Sequence, residues 1–241
     1  MFISVKQLTE EENDICFKTL SSKAVFALVG NAIKKKKGIS IVRMGDGEVG
    51  LLDAPDGKPF TGFNNLDPNW NTRLGIEGLG IEKVKANILE AGNACTYFAP
   101  SVSGISLGEF KLHHRFNKRE VYLDNFFVAD WTKEMIRMLL VASEGVQVIH
   151  KDCETLIENF VRRYDLPKTL FSGFKKKSWR DNEAAIKAAI DSGKQLVLFS
   201  AGPAGKIIGP KIALAGKVVL DVGNTLPGWS IGDPRMVGGI N

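Results

Sequence analysis

The stretch QLVLFSAGPAGKIIGPKIALAGKVVLDVGN, residues 195–224, decides the fold. Gln195–Ser200 is a short continuous apolar run bounded by turn residues, the pattern of a strand buried on both faces. Ala201-Gly202-Pro203-Ala204-Gly205 interrupts it with a glycine turn, and Pro203 suits the first position of a helix. That helix ends near Ala215-Gly216, where glycine stops it. Lys217–Asp221 is again apolar and β-branched and reads as the last strand. Strand, helix and strand in such close succession make a parallel crossover unit.

The same alternation extends toward the N-terminus. Ser21–Lys37 reads as a helix with Ala24, Val25, Leu28, Val29 and Ile33 on one side, closed by Gly38. Ile39–Val42 reads as a strand and Ile81–Ala91 as a helix. Ala94–Ala99 is a strand, and helices are expected around 107–117 and 131–142. Val146–Ile149 is a strand, 154–163 a helix, Lys168–Phe171 a strand and 180–192 a helix. Residues 54–80 are rich in Gly, Pro, Asn and Asp and predict a loop or lid. The expected fold class is therefore α/β, a largely parallel, Rossmann-like sheet with helices on both faces. Residues 1–241 are expected to form one domain, with 1–37 as an N-terminal helical segment.

Composition narrows the class. The chain has 241 residues, 44% of them hydrophobic and 24% charged. That length carries a substantial core, and the apolar fraction excludes an intrinsically disordered chain. No apolar run approaches the ~18 residues of a transmembrane helix, so no membrane span is expected. The opening MFISVKQLTEEEND turns acidic where a secretory signal needs an apolar run. Cys16, Cys95 and Cys153 are scattered and odd in number, which fits neither a disulfide framework nor a zinc knuckle. A cytoplasmic location is the expectation. The net charge of +5 is compatible with an anionic ligand. It is clumped at Lys34–Lys37, in 111–119 (KLHHRFNKR) and in 175–180 (KKKSWR). The first clump ends a helix, where cations oppose the dipole's negative end. The other two have no such explanation.

Ligands of parallel sheets sit beyond the carboxyl ends of the strands. Four polar or glycine-rich segments follow predicted strands: 43–48, 150–152, 200–205 and 221–224. In Arg43-Met44-Gly45-Asp46-Gly47-Glu48, two carboxylates one residue apart offer hard oxygen ligands to a divalent cation. Gly45 and Gly47 let backbone approach a ligand closely, and Arg43 offers a planar fork to phosphate oxygens. The same letters also suit a plain Asp-Gly turn with Glu48 in the first turn of a helix. The turn of Ser200, Gly202 and Pro203 can present N–H groups to a phosphate, or simply reverse the chain; its spacing to Lys206 is wrong for a Walker loop. Asp221 and Asn224 can meet a ribose, a sugar hydroxyl or a metal-bound water, or form an Asx turn. Lys151 can neutralise a phosphate, and Asp152 can act as a base or cap the helix that follows. His113 and His114, adjacent in a predicted helix, point about 100° apart and make no joint metal site. Phe60, Phe63, Trp70 and Trp229, in loop-like segments, can stack on a base or sugar, or pack in the core.

In combination these segments resemble a known family. The strand leading into Arg43–Glu48 resembles the R-x-G-D-G-E signature of GT-D-type glycosyltransferases. NLDPNWNTRL at 65–74 is similar to that family's Asp-Pro loop. LVLFSAGPAGKII at 196–208 and KVVLDVGN at 217–224 are similar to its strand, Gly-Pro turn, helix and final strand ending in Asp-x-Gly. Order and spacing agree over most of residues 39–232. The resemblance implies a GT-D-like fold and a metal-dependent transferase that moves a sugar from a nucleotide diphosphate donor, a UDP-sugar, to an acceptor hydroxyl. It makes Asp46 and Glu48 the catalytic Asp-x-Glu pair that holds Mn2+ or Mg2+. Arg43 becomes the basic residue before them, Gly202 and Pro203 the donor-side turn, and Asp221 with Gly223 the end of the last strand. The cation would neutralise the leaving diphosphate, with Lys151 and Lys177 adding charge. Asp46, Glu48, Asp152 and Asp221 are the candidate bases. Asn224 departs from the His or Ser that many relatives carry at its position.

Two acceptor classes follow. One is a hydroxyl on a glycan or protein. The other is a hydroxylated base in DNA, gripped by segments 111–119 and 175–180 with Phe116, Phe174 and Trp179 interleaved. Two other readings compete: a non-catalytic nucleotide- or nucleic-acid-binding module, which needs the glycine turns and basic surface but not both carboxylates, and a metal-dependent phosphohydrolase using the same acidic corner.

Overall fold

The computed structural model describes residues 8–54, 75–102 and 114–232, and of Asp46 the backbone alone. The lid over 54–80 and the helix around 107–117 fall largely outside these residues, as do Phe60, Phe63, Trp70 and His113. Six strands, β2 (Ile39–Arg43), β3 (Tyr97–Ala99), β5 (Val146–His150), β6 (Phe171–Lys175), β7 (Leu196–Phe199) and β8 (Val218–Asp221), form one sheet in the order β3-β2-β8-β7-β5-β6. Every neighbouring pair is parallel. Two short strands, β1 (Thr19–Leu20) and β4 (Tyr122–Leu123), pair separately. The expected parallel α/β architecture is therefore the one observed.

The strands are apolar throughout because both faces are covered. Alternate residues Ile39, Ile41, Val146, Val148, Leu196, Leu198, Val218 and Leu220 pack on one face. Against them lie α2 (Ser22–Lys34), α5 (Lys133–Ala142), α6 (Cys153–Tyr164) and α9 (Thr225–Ile231). Their neighbours point the other way. Val42 and Phe98 meet α3 (Asp46–Asp53) and α4 (Ile81–Ala94), while Ile149, Val197, Phe199 and Val219 meet α7 (Asn182–Asp191) and α8 (Ile208–Ala213). This period-two alternation fixes the register, since a one-residue slip would exchange the two cores. Helix ends carry ordinary side-chain caps: Ser21 accepts the Ala24 N–H, Thr132 accepts the Met135 N–H, and Thr9 and Glu12 form a reciprocal capping box at α1 (Glu10–Phe17). Among the described residues no helix is long and apolar enough to cross a membrane.

Two expectations shift. Lys168–Leu170 is a turn of 3-10 helix, and the strand expected at 168–171 begins only at Phe171. Gly173 within β6 explains why this run forms a strand under a helix: a Cβ there would press on Cys153 Sγ and Ile157 Cδ1, both 3.1 Å away, so glycine lets α6 lie close. The shift puts Lys175–Lys177 at the carboxyl end of β6. Trp229, expected in a loop, is on α9 and stacks on Trp131 with ring centroids 5.6 Å apart. The buried Tyr164 hydroxyl donates to the Trp229 carbonyl at 2.8 Å. Burial of Leu226 and Trp229 overrides the poor helix propensity of Pro227 and Gly228.

Backbone meets backbone closely where Gly38 passes the turn from α8 into β8. A Cβ on Gly38 would lie 2.2 Å from the Ala213 carbonyl oxygen and 2.9 Å from Gly216 Cα. Both obstacles are backbone, so Gly38→Ala is expected to cost about 1–3 kcal/mol through forced backbone shifts. Urea unfolding checks this: the midpoint should fall while the slope stays constant.

Candidate functional site

The carboxyl ends of β2, β5, β6, β7 and β8 open into one cleft of about 430 Å³. Of the residues singled out from sequence, Arg43, Gly45, Gly47, Glu48, Lys151, Ser200, Gly202, Pro203, Asp221 and Asn224 all line it. Asp46 begins α3 at the mouth of β2, and its side chain lies outside the described residues. Asp152 is not among the lining residues. It precedes α6, caps it with no side-chain hydrogen bond, and its side chain is exposed.

The floor of the cleft is a buried charge network. Lys206, 8% exposed, sits between the Pro203–Gly205 turn and α8. Its Nζ lies 2.7 Å from Asp221 Oδ2 and 3.3 Å from Glu48 Oε1. Glu48 Oε2 accepts the Gly45 N–H at 2.8 Å, so its carboxylate closes the first turn of α3 as well. Asp221 Oδ2 also accepts the Arg43 N–H at 3.2 Å, which ties β8 to β2. The Arg43 side chain donates from Nε to Asn125 Oδ1 at 2.8 Å and from Nη1 to the Val222 carbonyl at 2.8 Å. Gly45 makes room for this arrangement, because a Cβ there would stand 3.2 Å from Asn125 Nδ2. Burial pushes the Glu48 carboxyl above its ordinary range, with Lys206 and the Gly45 N–H pulling the other way. Burial also opposes the Lys206 charge, but Asp221 and then Glu48 outweigh it and hold the ammonium protonated above the ordinary lysine value.

The walls are built from the other strand ends. Gly202 has φ 65° and ψ 177°, a region open essentially to glycine alone, and it swings the chain from β7 into the Pro203–Gly205 turn. His150 Nδ1 accepts the Asp152 N–H at 3.0 Å, which leaves the ring proton on Nε2. Burial lowers the His150 pKa, so the neutral ring offers the cleft a donor. Lys151, Lys176 and Lys177 complete the cationic side.

Sequence reasoning missed three of these residues. Lys206 carried one signal, a lone cation in the apolar run AGKIIGP. Asn125 carried none. Lys176 was hidden in the lysine run, because the strand was placed too early for its burial to be seen. The described residues of the two basic segments do not form one groove. The described part of 111–119 lies by the start of β3, where Arg119 caps α4 through the Gly92, Asn93 and Cys95 carbonyls. Arg115 pairs with Asp53, Lys118 with Glu11, and Phe116 is buried on Phe98. Residues 175–177 lie at the opposite end of β6, and β3 and β6 are opposite edges of the sheet, roughly 24 Å apart across the strands.

Solved structures share this architecture. One, described as a new glycosyltransferase (DUF1792) from Streptococcus sanguinis, matches with a TM-score of 0.54 at 14% identity, over 86% of this chain and 81% of that one. The fold is similar to a glycosyltransferase fold. A selenomethionine-substituted DUF1792 structure matches with a TM-score of 0.53 at 14% identity, over 92% of this chain and 84% of that one. A third, described as showing that DUF1792 has a distinct glycosyltransferase fold, gives a TM-score of 0.50 at the same identity and coverage. No protein-family model and no curated protein matches the chain.

The carboxylates at the floor are the donor type a hard divalent cation takes. Glu48 Oε2 is committed to Gly45, so a cation there shares Oε1 with Lys206 or displaces it. Among the described residues no three His, Cys, Asp or Glu side chains converge, so such a site draws on Asp46 or on substrate and solvent oxygens. Lys206→Met should leave Glu48 and Asp221 buried without their counter-ion and destabilise the fold by about 3–5 kcal/mol. Adding Glu48→Gln should return part of that loss in a double-mutant cycle read by chemical denaturation.

Proposed function

We propose that the protein is a glycosyltransferase that moves a sugar from a nucleotide diphosphate donor, a UDP-sugar, to a hydroxyl of a glycan or protein. We further propose that Asp46 and Glu48 hold a divalent cation, Mn2+ or Mg2+. The cleft carries this reading. Five cations, Arg43, Lys151, Lys176, Lys177 and Lys206, line it against two carboxylates, Glu48 and Asp221, among the described residues. Such an excess, at the carboxyl edge of a parallel sheet, suits a multiply charged anion. The likeness in fold to structures described as glycosyltransferases supports the same assignment.

A cation held by Asp46 and Glu48 would supply charge neutralisation to a departing diphosphate. The chain's own residues do the rest. The turn at Gly202 and Pro203 brings backbone close to a phosphate, and Lys151 and Lys177 face it from the rim. Arg43 is held rigid by Asn125 and Val222, so its charge acts from a fixed place without reorganising. The His150 Nε2–H donates to a sugar or phosphate oxygen, and Ser200 and Asn224 offer polar contacts at the ends of β7 and β8. A DNA acceptor spanning both basic segments is not part of this reading, because those segments lie at opposite ends of the sheet. The three unpaired thiols, two of them buried, accord with a reducing, cytoplasmic setting.

Glu48→Gln and Asp46→Asn should each reduce Mn2+-dependent UDP release from a UDP-sugar by about 100-fold or more, with far-UV circular dichroism unchanged. Full turnover by both variants would remove the pair from the reaction. Product analysis separates transfer from phosphohydrolysis, since transfer releases UDP intact. Wild-type protein should also melt higher with UDP and Mn2+; ligand at 100 times Kd adds about 2.7 kcal/mol.

A further inference from the structure

Two lysines of the cleft are buried, and their surroundings differ. Lys206 is matched by two carboxylates. Lys176, only 5% exposed, is matched by none: among the described residues no carboxylate lies within salt-bridge distance of it. Its backbone N–H donates to the His150 carbonyl at 3.3 Å, extending the pairing of β5 with β6 by one residue. Its side chain then runs beneath the Pro203–Gly205 turn. A Cβ on Gly205 would stand 2.4 Å from Ala201 Cβ, 3.2 Å from Lys176 Cε and 3.3 Å from its Nζ, so the glycine leaves space both for the turn and for the ammonium. One of its three donors goes to the Ser178 carbonyl at 2.7 Å. The nearest acid to act on it, Asp181, already accepts the N–H groups of Lys177 and Ser178, at 2.7 and 2.9 Å.

An ammonium out of water with no counter-ion is costly, and a fold carries one at a ligand cleft when the ligand supplies the counter-ion. Burial pulls the Lys176 pKa down to about 8, the mark of a charge the free protein supports poorly. Lys176 lines the cleft beside Gly202, Pro203, Lys151 and Lys177.

We propose that Lys176 is a phosphate-binding residue of the cleft, a fixed cation that pairs with the diphosphate of the nucleotide-linked substrate and does so without a divalent metal. This rests on the nucleotide-donor reading above and adds a contact to it. Because the charge belongs to the chain, part of the affinity for the diphosphate should survive chelation of all divalent ions.

The test is calorimetric titration of inorganic pyrophosphate, UDP and uridine in EDTA, with melting temperatures of the ligand-free proteins. Wild type should bind pyrophosphate and UDP, and uridine far more weakly. Lys176→Met and Lys176→Gln should each weaken UDP and pyrophosphate at least tenfold, leave uridine unchanged, and melt at or above the wild-type temperature, since the unmatched charge is gone. Unchanged UDP and pyrophosphate affinity in both variants overturns the proposal. So does a wild type that binds neither probe in EDTA, and so does a clear drop in melting temperature in both variants, which marks a structural lysine. The two readings separate cleanly. Lys176-dependent pyrophosphate binding in a protein that turns over no UDP-sugar sinks the transferase reading alone; full UDP-sugar turnover by Lys176→Met sinks the Lys176 assignment alone.

Discussion

One ammonium between two carboxylates organises the working edge of this sheet. Lys206 joins Asp221 at the end of β8 to Glu48 at the start of α3, and Asp221 reaches on to the backbone of Arg43 at the end of β2. Strand ends at the center of a parallel sheet must leave their last polar groups somewhere, and here a buried network absorbs them. Each carboxylate also accepts a backbone N–H, so the charges are hydrogen-bonded as well as paired, the condition under which burial of ions is tolerated. The first turn of α3 and the backbone of Arg43 are both positioned from this point.

The network divides the cleft by charge. Its floor is nearly balanced, since Lys206 is matched and Arg43 is engaged with Asn125, Val222 and the nearby Asp221. Its cationic excess lies on the side built from β5 and β6, at Lys151, Lys176 and Lys177. A balanced floor keeps its geometry whether or not a ligand is present. An unbalanced wall gains most when an anion arrives. Rigid positioning and ligand attraction are thus assigned to different strands.

Much of this was legible in the letters. The apolar runs of β2, β5, β7 and β8 announced strands covered on both faces, and the rule that ligands gather at strand ends selected Arg43, Glu48, Lys151, Ser200, Gly202, Asp221 and Asn224 as neighbours. What escaped has physical causes. The β6 strand was placed too early, because Phe171-Ser172-Gly173-Phe174 alternates around a glycine whose purpose, closeness of α6, is tertiary. The α9 helix carries Pro and Gly and forms because Leu226 and Trp229 are buried. Asn125 lies in a segment with no local pattern and matters only through Arg43. The pairing of Glu48 with Lys206 across most of the chain's length could not be read from spacing, so the acidic corner looked more open than it is. The lysine run at 175–177 showed the reverse problem: its letters look like an ordinary solvated patch, yet one of its side chains is almost wholly enclosed.

The order of the strands has a mechanical side. Among the described residues β6 is an edge strand, hydrogen-bonded to β5 alone, whereas β2, β8, β7 and β5 each have partners on both sides. The lysines that follow β6 therefore ride on an edge strand, while the Arg43–Asp221–Lys206 anchor is seated among strands held on both sides. The cleft thus joins one side carried by a strand with a single neighbour to a floor carried by strands with two.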